Sequence, residues 1–390
     1  MGAKRERIET RELRLLLELL KRNGTALQEE EMRGWLTDID WNQFVELVRH
    51  HRVFPTLYIS LQSLSTPLIP ADVLEALRQD YRRNTLTMLH LTAELRRICE
   101  LLDHEGVRTL VLKGPLLAHE LYGDTSLRTS KDLDLLIDVA DIERAEAALL
   151  KHGYHIHNPK LRLLNDWKWK DHHQSYSHPH KQVQVELHWR MHPDSGSEAS
   201  FEQLWEGRRV NWMTGYPIHG LSREQLLEYL ISHGARHAWF RLRWLTDIAC
   251  LLPQIDDYKL LLEQFRRNRS EHLGGQAALL VSSLLAAPVP YVFQPLYSSR
   301  KSRSLARQAM FFIRSKAELC PEPTPEFGGP YKRYLRALKT PSQQLAYLLR
   351  RLYPSSRDAA VLPLPRALHF LYVPLRPLLW CYRRVKQVQS

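Results

Sequence analysis

The leucines of residues 11–21, Arg-Glu-Leu-Arg-Leu-Leu-Leu-Glu-Leu-Leu-Lys, form the apolar stripe of an amphipathic helix. Trp41, Phe44, Val45 and Val48 continue helical spacing through 41–63, and Pro67 and Pro70 then interrupt it. A long helix rich in Leu and Arg is predicted from about Ala71 to His104. Residues 1–104 therefore read as a helical N-terminal region.

The period changes after Gly106. Arg108–Leu112 is a short apolar run bounded by glycines and reads as a strand. Pro115–Tyr122 suits a helix, since proline is tolerated in the first turn, and Gly123-Asp124 stops it. Asp132–Ile137 is a second strand, Ile142–His152 a helix closed by Gly153. Gln182–Trp189 alternates as a half-buried strand does. Residues 105–215 are thus predicted to be an α/β core, a small mixed β-sheet with flanking helices, in a chain of α+β class.

Ser222, followed by Glu224 and Gln225, opens a helical domain over 216–295, with helices at 222–252 and 256–286. Pro321–Pro330 reads as a linker by composition, and 331–353 as a helix. Between Val361 and Tyr382 prolines break an apolar, aromatic and basic stretch, so 296–390 is expected to be a basic helical or irregular region.

Composition narrows the class. Apolar residues make up 44% and charged residues 25% of 390, which suits a globular protein and excludes wholesale disorder. No apolar run is long enough to span a membrane, and the start lacks a signal-peptide pattern. Cys99, Cys250, Cys320 and Cys381 lie far apart, which argues against a cysteine zinc site or a disulfide framework and fits a cytoplasmic protein. The net charge of +12 is a property of the C-terminal quarter: residues 300–390 hold 18 Lys+Arg against four acids. Such a region attracts nucleic acid, anionic lipid or an acidic partner. Peripheral membrane contact by 361–384 is one reading, and a segment wrapping the helical domain is the favoured one.

Candidate chemistry starts with Asp132-Leu133-Asp134. On a strand, i and i+2 share a face, so two carboxylates project together while Leu133 and Leu135 face the core. Two like charges that close repel, and a divalent cation with a taste for hard oxygen offsets them. On the later strand Gln184, Glu186 and His188 share one face. Three carboxylates from neighbouring strands suit two Mg²⁺ ions, with Mn²⁺ the alternative, and in-line nucleotidyl displacement. A chance Asp-x-Asp or a turn cap is the plain alternative for each acid alone. Upstream, Lys113-Gly114 lies between a strand and a helix, where backbone N–H groups approach phosphate. Arg128 is placed to reach a triphosphate oxygen.

Six histidines, His172, His173, His178, His180, His188 and His192, crowd one segment. A Zn²⁺ site could be drawn from them, but they match no zinc spacing and read equally as a polar loop between two strands; His188, which shares a face with Glu186, is a candidate to contact the nucleotide or the surroundings of the metal. His237 and Arg243 are candidates to line a nucleotide or acceptor pocket, against the structural reading in which Asp247 pairs with Arg243 at i,i+4.

The segment Val111–Ile137, with its Leu-Lys-Gly-Pro and Asp-Leu-Asp, closely resembles the uncharacterised bacterial nucleotidyltransferase family of the DNA-polymerase-β-like superfamily. So do Gly153-Tyr154, Val185–Arg190, His237–Asp247 and His50-His-Arg-Val-Phe-Pro55, and the resemblance covers about residues 10–290. It implies that Asp132 and Asp134 are paired metal ligands and Glu186 the third. It further implies that the protein moves a nucleoside monophosphate from an NTP such as ATP to a small-molecule, peptide or glycan-precursor acceptor in a bacterial biosynthetic pathway. The chain departs from the superfamily at the phosphate loop, where Lys113-Gly114-Pro115 stands in place of Gly-Ser. An inactive binding or scaffold protein, or an RNA-modifying enzyme using the basic C-terminus, are the alternatives.

Overall fold

The computed structural model describes residues 10–21, 34–36, 38–62, 69–157, 159, 164–193 and 198–388. Pro67 and part of the histidine-poor stretch before Trp167 lie outside the described residues. The described residues of the N-terminal region form α1 (Arg11–Lys21), α2 (Trp41–His51), α3 (Phe54–Gln62) and α4 (Ala71–His104).

Seven strands form one mixed sheet. They are β1 (Thr109–Val111), β2 (Asp132–Ile137), β3 (His155–Ile156), β4 (His173–His178), β5 (Val183–His188), β6 (Arg209–Asn211) and β7 (Ile218–Gly220). Their spatial order is β3-β4-β5-β2-β1-β7-β6. β2 runs parallel to β5 and β1 parallel to β7, while the other neighbours are antiparallel. Between strands lie α5 (Pro115–Tyr122), α6 (Ile142–Lys151), α7 (Trp167–Lys170) and α8 (Phe201–Glu206). The remainder is helical: α9 (Arg223–Arg236), α10 (Leu242–Leu251), α11 (Tyr258–Arg267), α12 (Glu271–Leu285), α13 (Gln294–Tyr297), α14 (Arg300–Arg314), α15 (Pro325–Leu338), α16 (Pro341–Leu352), α17 (Ser356–Val361) and α18 (Tyr372–Val388).

The two sheet faces bury different things. Leu133, Leu135 and Ile137 of β2 join Val183, Val185 and Leu187 of β5 in a core closed by Leu91, Leu95, Ile98 and Leu102 of α4 and by Ile142, Ala145 and Leu149 of α6. Each fully buried side chain of this kind is worth roughly 1.5–3 kcal/mol. The opposite face contributes Leu110, Leu112 and Leu136 to a larger core shared with α1, α2, α9, α10, α12 and α14. Asp132, Asp134, Glu186 and His188 stand on that second face. Helices therefore roof them, which the sequence pattern alone does not show.

Several local readings are corrected. The histidine-rich segment is not a loop: 173–178 is β4, paired antiparallel to β5 with His173 opposite His188. Its side chains are nearly all polar and only Tyr176 is buried, so alternation gives no apolar signal. The β6–β7 hairpin reaches past the expected boundary at 215, and β7 pairs with β1. The linker reading of 321–330 fails in its second half, where α15 starts at Pro325 in the first turn and carries Pro330 inside. The expected helix over 331–353 is two, since Thr340 caps α16 through a reciprocal box with Gln343. The helical stretch expected over 222–252 resolves into a pair, with Ala238 and Trp239 in left-handed backbone between α9 and α10.

Candidate active site

β2 and β5 set the geometry. Their parallel register places Asp134 opposite Glu186, Asp132 opposite Gln184 and Leu136 opposite His188. Period-two alternation then aims Asp132, Asp134, Glu186 and His188 at one face. β1 adds the next side chain: the Leu112 N–H donates to Asp134 O at 2.9 Å, which carries the chain out of β1 so that Lys113 lies over Asp134. Lys113 Nζ is 3.0 Å from Asp134 Oδ1, and His188 Nε2 is 3.2 Å from the same oxygen. His188 Nε2 also lies 3.5 Å from Glu186 Oε2, and His173 Nε2 lies 3.8 Å from it.

Gly114 follows with φ +84° and ψ −141°, a region that only glycine occupies at low cost, and it begins α5. An added Cβ would meet nothing closer than Asp132 O at 3.5 Å, so backbone conformation rather than space demands glycine there.

Burial makes this cluster electrostatically coupled. Asp134 is fully buried; burial alone would raise its pKa, but Lys113 and His188 overcome that and hold it far below the carboxylate range. Burial likewise opposes the Lys113 ammonium, yet Asp134, Tyr229, Asp132 and Glu186 keep it charged well past the ordinary lysine value. Asp132 goes the other way, raised first by burial and then by the charge of Asp134. Burial and then His188 lower the His173 pKa to about 4, so that ring is neutral at pH 7.

Two buried atoms of the cluster are left over. Among the described residues Asp134 Oδ2 and His188 Nδ1 have no hydrogen-bond partner, and a buried carboxylate oxygen left bare is costly. Among the described residues, two groups of side chains bring one ligand atom each to within 4.8 Å of one another: Asp134 with Glu186 and His188, and His172 with His173 and His188. Asp132 belongs to neither, so the tightest set holds His188 in the place expected for the first aspartate. Of the six histidines, the structure gathers three here. His178 packs edge-on against Tyr154, and His192 pairs with Glu228 at 2.8 Å.

The remaining candidates divide. Arg128 is 3% exposed, and its guanidinium donates to both oxygens of Asp247 at 2.9–3.1 Å. The expected i,i+4 pair of Asp247 with Arg243 does not form, because Asp247 turns to Arg128. Arg243 instead donates to Thr129 O and to Thr129 Oγ1, leaving its buried Nε without a partner. Burial first, then Arg128 and Arg52, hold its pKa well below the usual arginine value, and Asp132 acts against them. His237 stacks on Trp244 at 5.3 Å between ring centroids and approaches Cys320 Sγ at 3.3 Å.

A family model described as uncharacterised nucleotidyltransferase matches residues 37–286. This chain belongs to that family. Nucleotidyl transfer is accordingly its general activity. Among solved structures, an antigenic nucleotidyltransferase-like protein from Paracoccidioides brasiliensis is similar at 17% identity, over 54% of this chain and 97% of that one, with a TM-score of 0.33. No curated protein matches.

In this nucleotidyltransferase-family protein the pattern reading missed four side chains. Arg52 ends α2 in left-handed backbone and makes no side-chain hydrogen bond among the described residues. Burial lowers its pKa to about 10, Arg241 adds to that, and Asp132 opposes it. Lys131 feels Arg52, Arg241 and Asp132 in the same way. Arg241 donates to His50 O at 2.6 Å. Tyr229 of α9 is buried with its hydroxyl unpartnered, and Lys113, Asp134 and Glu186 all act on it. Arg52 lies within the His50–Pro55 segment that resembles the family, but that resemblance gave it no role; nothing in sequence ties Tyr229 to a strand 95 residues earlier.

Proposed function

We propose that this protein transfers a nucleoside monophosphate from an NTP to an acceptor hydroxyl or phosphate, in a pocket built on Asp132, Asp134 and Glu186. The observation that carries the reading is the register of β2 on β5, which sets Asp134 beside Glu186 with Asp132 on the same face. The donor set fits a divalent cation: the buried, orphaned Asp134 Oδ2 and the Glu186 carboxylate are hard oxygens, and His188 adds a nitrogen that admits Mn²⁺ as well as Mg²⁺. Such a cation, when bound, polarises the phosphate and makes the acceptor oxygen more nucleophilic.

The chain's own residues do the rest. The acceptor oxygen bonds to the α-phosphorus, the bond to the pyrophosphate oxygen breaks, and Glu186 takes the acceptor's proton. Arg52, Lys131 and Arg243 flank Asp132 and neutralise charge on the departing pyrophosphate. Arg128 is recast: saturated by Asp247, it is a buried strut rather than a phosphate ligand. Gly114 lets the backbone turn beside Asp132, and His237 lines the acceptor side with Trp244.

One observation favours a second reading. Lys113 occupies Asp134 Oδ1, as it would in a binding protein that has given up metal-dependent turnover. Calorimetry with Mg²⁺ and each NTP separates the two, since the enzyme shows Mg²⁺-dependent nucleotide heat. Incubation with Mg²⁺, labelled NTPs and a lysate of the producing cell then seeks a nucleotidylated product by mass spectrometry. An Asp134→Asn protein that retained full turnover would end the proposal.

A further inference from the structure

The basic C-terminal quarter is not an even coat of charge. Part of it encloses a cavity of about 920 Å³, within the range of small-molecule sites. Arg236 of α9, Arg269 from the turn after α11, Lys332 and Arg336 of α15, and Lys339 all line it. Among the described residues Glu228 is the one carboxylate on its wall, and that group is 2% exposed and already bound to His192 at 2.8 Å and to Ser270 at 3.0 Å.

Four of these five cations meet no acid among the described residues. Among the described residues no carboxylate pairs with Arg236, Arg269, Lys332 or Arg336; Arg269 donates to Ser342 Oγ, and Arg236 reaches only His233 Nδ1 at 3.5 Å. Elsewhere on this surface arginines find acids, as Arg376 and Arg383 do on Asp358. Four unpaired cations around one concavity repel one another in the free protein, and a ligand with concentrated negative charge relieves that repulsion.

Two residues of the cavity wall, Arg236 and His192, connect it to the side chains around Asp134 and Glu186. Arg236 acts electrostatically on His172 and His173. The ring of His192, on the cavity wall, lies 6.1 Å from Tyr229, whose unpartnered hydroxyl is under the influence of Asp134 and Glu186. The cations of the cavity are a different set from Arg52, Lys131 and Arg243 at Asp132.

We propose that this cavity binds a phosphate-bearing small molecule, and that the acceptor in the transfer reaction carries that phosphate. The assignment of the phosphate to the acceptor rests on the nucleotidyl-transfer reading; the existence of the phosphate site does not.

The test uses the full chain with its nucleotide pocket filled by Mg²⁺ and an ATP analogue methylene-bridged between the α and β phosphorus atoms. Inorganic pyrophosphate is then titrated by calorimetry into the wild type, Lys332→Ala/Arg336→Ala, and Arg307→Ala as a control outside the cavity. The wild type and Arg307→Ala should show a second, salt-sensitive event, and the double variant one at least ~10-fold weaker, as loss of two charge-assisted contacts requires. If the analogue itself abolishes pyrophosphate binding and the double variant loses affinity for the analogue, the phosphate belongs to the nucleotide and the acceptor assignment falls. Equal pyrophosphate binding in wild type and double variant, or none in either, overturns the site. Asp134→Asn separates the two proposals, because it should lose turnover while keeping the pyrophosphate event. A matching thermal midpoint for the double variant and the wild type shows that the fold is intact.

Discussion

Replacing Arg128 decides between a phosphate ligand and a buried strut. Its guanidinium makes three contacts of 2.9–3.1 Å to Asp247, and Asp247 keeps only the Tyr122 hydroxyl, at 3.0 Å, once they are gone. Arg128 and Asp247 are 3% and 0% exposed, so Arg128→Ala leaves a carboxylate in the core with one neutral donor. Breaking a buried pair from one side costs about 3–5 kcal/mol. At a few degrees per kcal/mol, the thermal midpoint should fall by roughly 5–15 °C. Replacing both partners with apolar groups of similar size removes the uncompensated charge and is often nearly neutral. Arg128→Met/Asp247→Leu should therefore melt close to wild type, and calorimetry on it should find Mg²⁺–NTP affinity within a few-fold of the parent. Two results refute the reasoning: a single variant as stable as wild type, or a stable double variant that no longer binds nucleotide. The second would return Arg128 to the phosphates.

Three further outcomes follow from the geometry. Arg52→Ala should raise KM for the NTP by roughly 10- to 100-fold without lowering the melting point, since the contact it would lose is a charge-assisted one to phosphate and the side chain makes no hydrogen bond among the described residues. Gly114→Ala should cost about 1–3 kcal/mol in denaturant melts through its positive φ, although its Cβ meets no clash. For the His192–Glu228 pair, burial opposes the charged ring, but Glu228 and Glu198 raise the His192 pKa above 6.5 against Arg236, and His192 and Ser270 lower that of buried Glu228. A raised folded pKa means stability that is complete below pH 6.5 and lost as pH rises through the folded value. His192→Gln should flatten that part of a plot of melting point against pH, and an unchanged slope would remove the pair from the balance.

The sequence determined the local elements wherever side-chain period and apolar content coincide. The 34-residue α4, the strand Asp132–Ile137 and the alternating Val183–His188 appear within a residue of where the pattern puts them. The same period placed Asp132 with Asp134, and Glu186 with His188, on shared faces, because strand alternation is a property of the backbone. Partners across the fold were a different matter. β4 was invisible because an edge-side strand of His, Gln and Ser has no apolar alternation, and its pairing is paid in backbone hydrogen bonds to β5. Arg128 chose Asp247, 119 residues away, over solvent or phosphate because burial rewards a full bidentate pair. Tyr229, Arg52 and the cations of the 920 Å³ cavity come from helices that meet only when α9, α15 and the N-terminal bundle close over the sheet. Residue type and period are encoded along the chain; which charge is left without a counter-charge depends on what packing brings beside it, and that is decided in three dimensions.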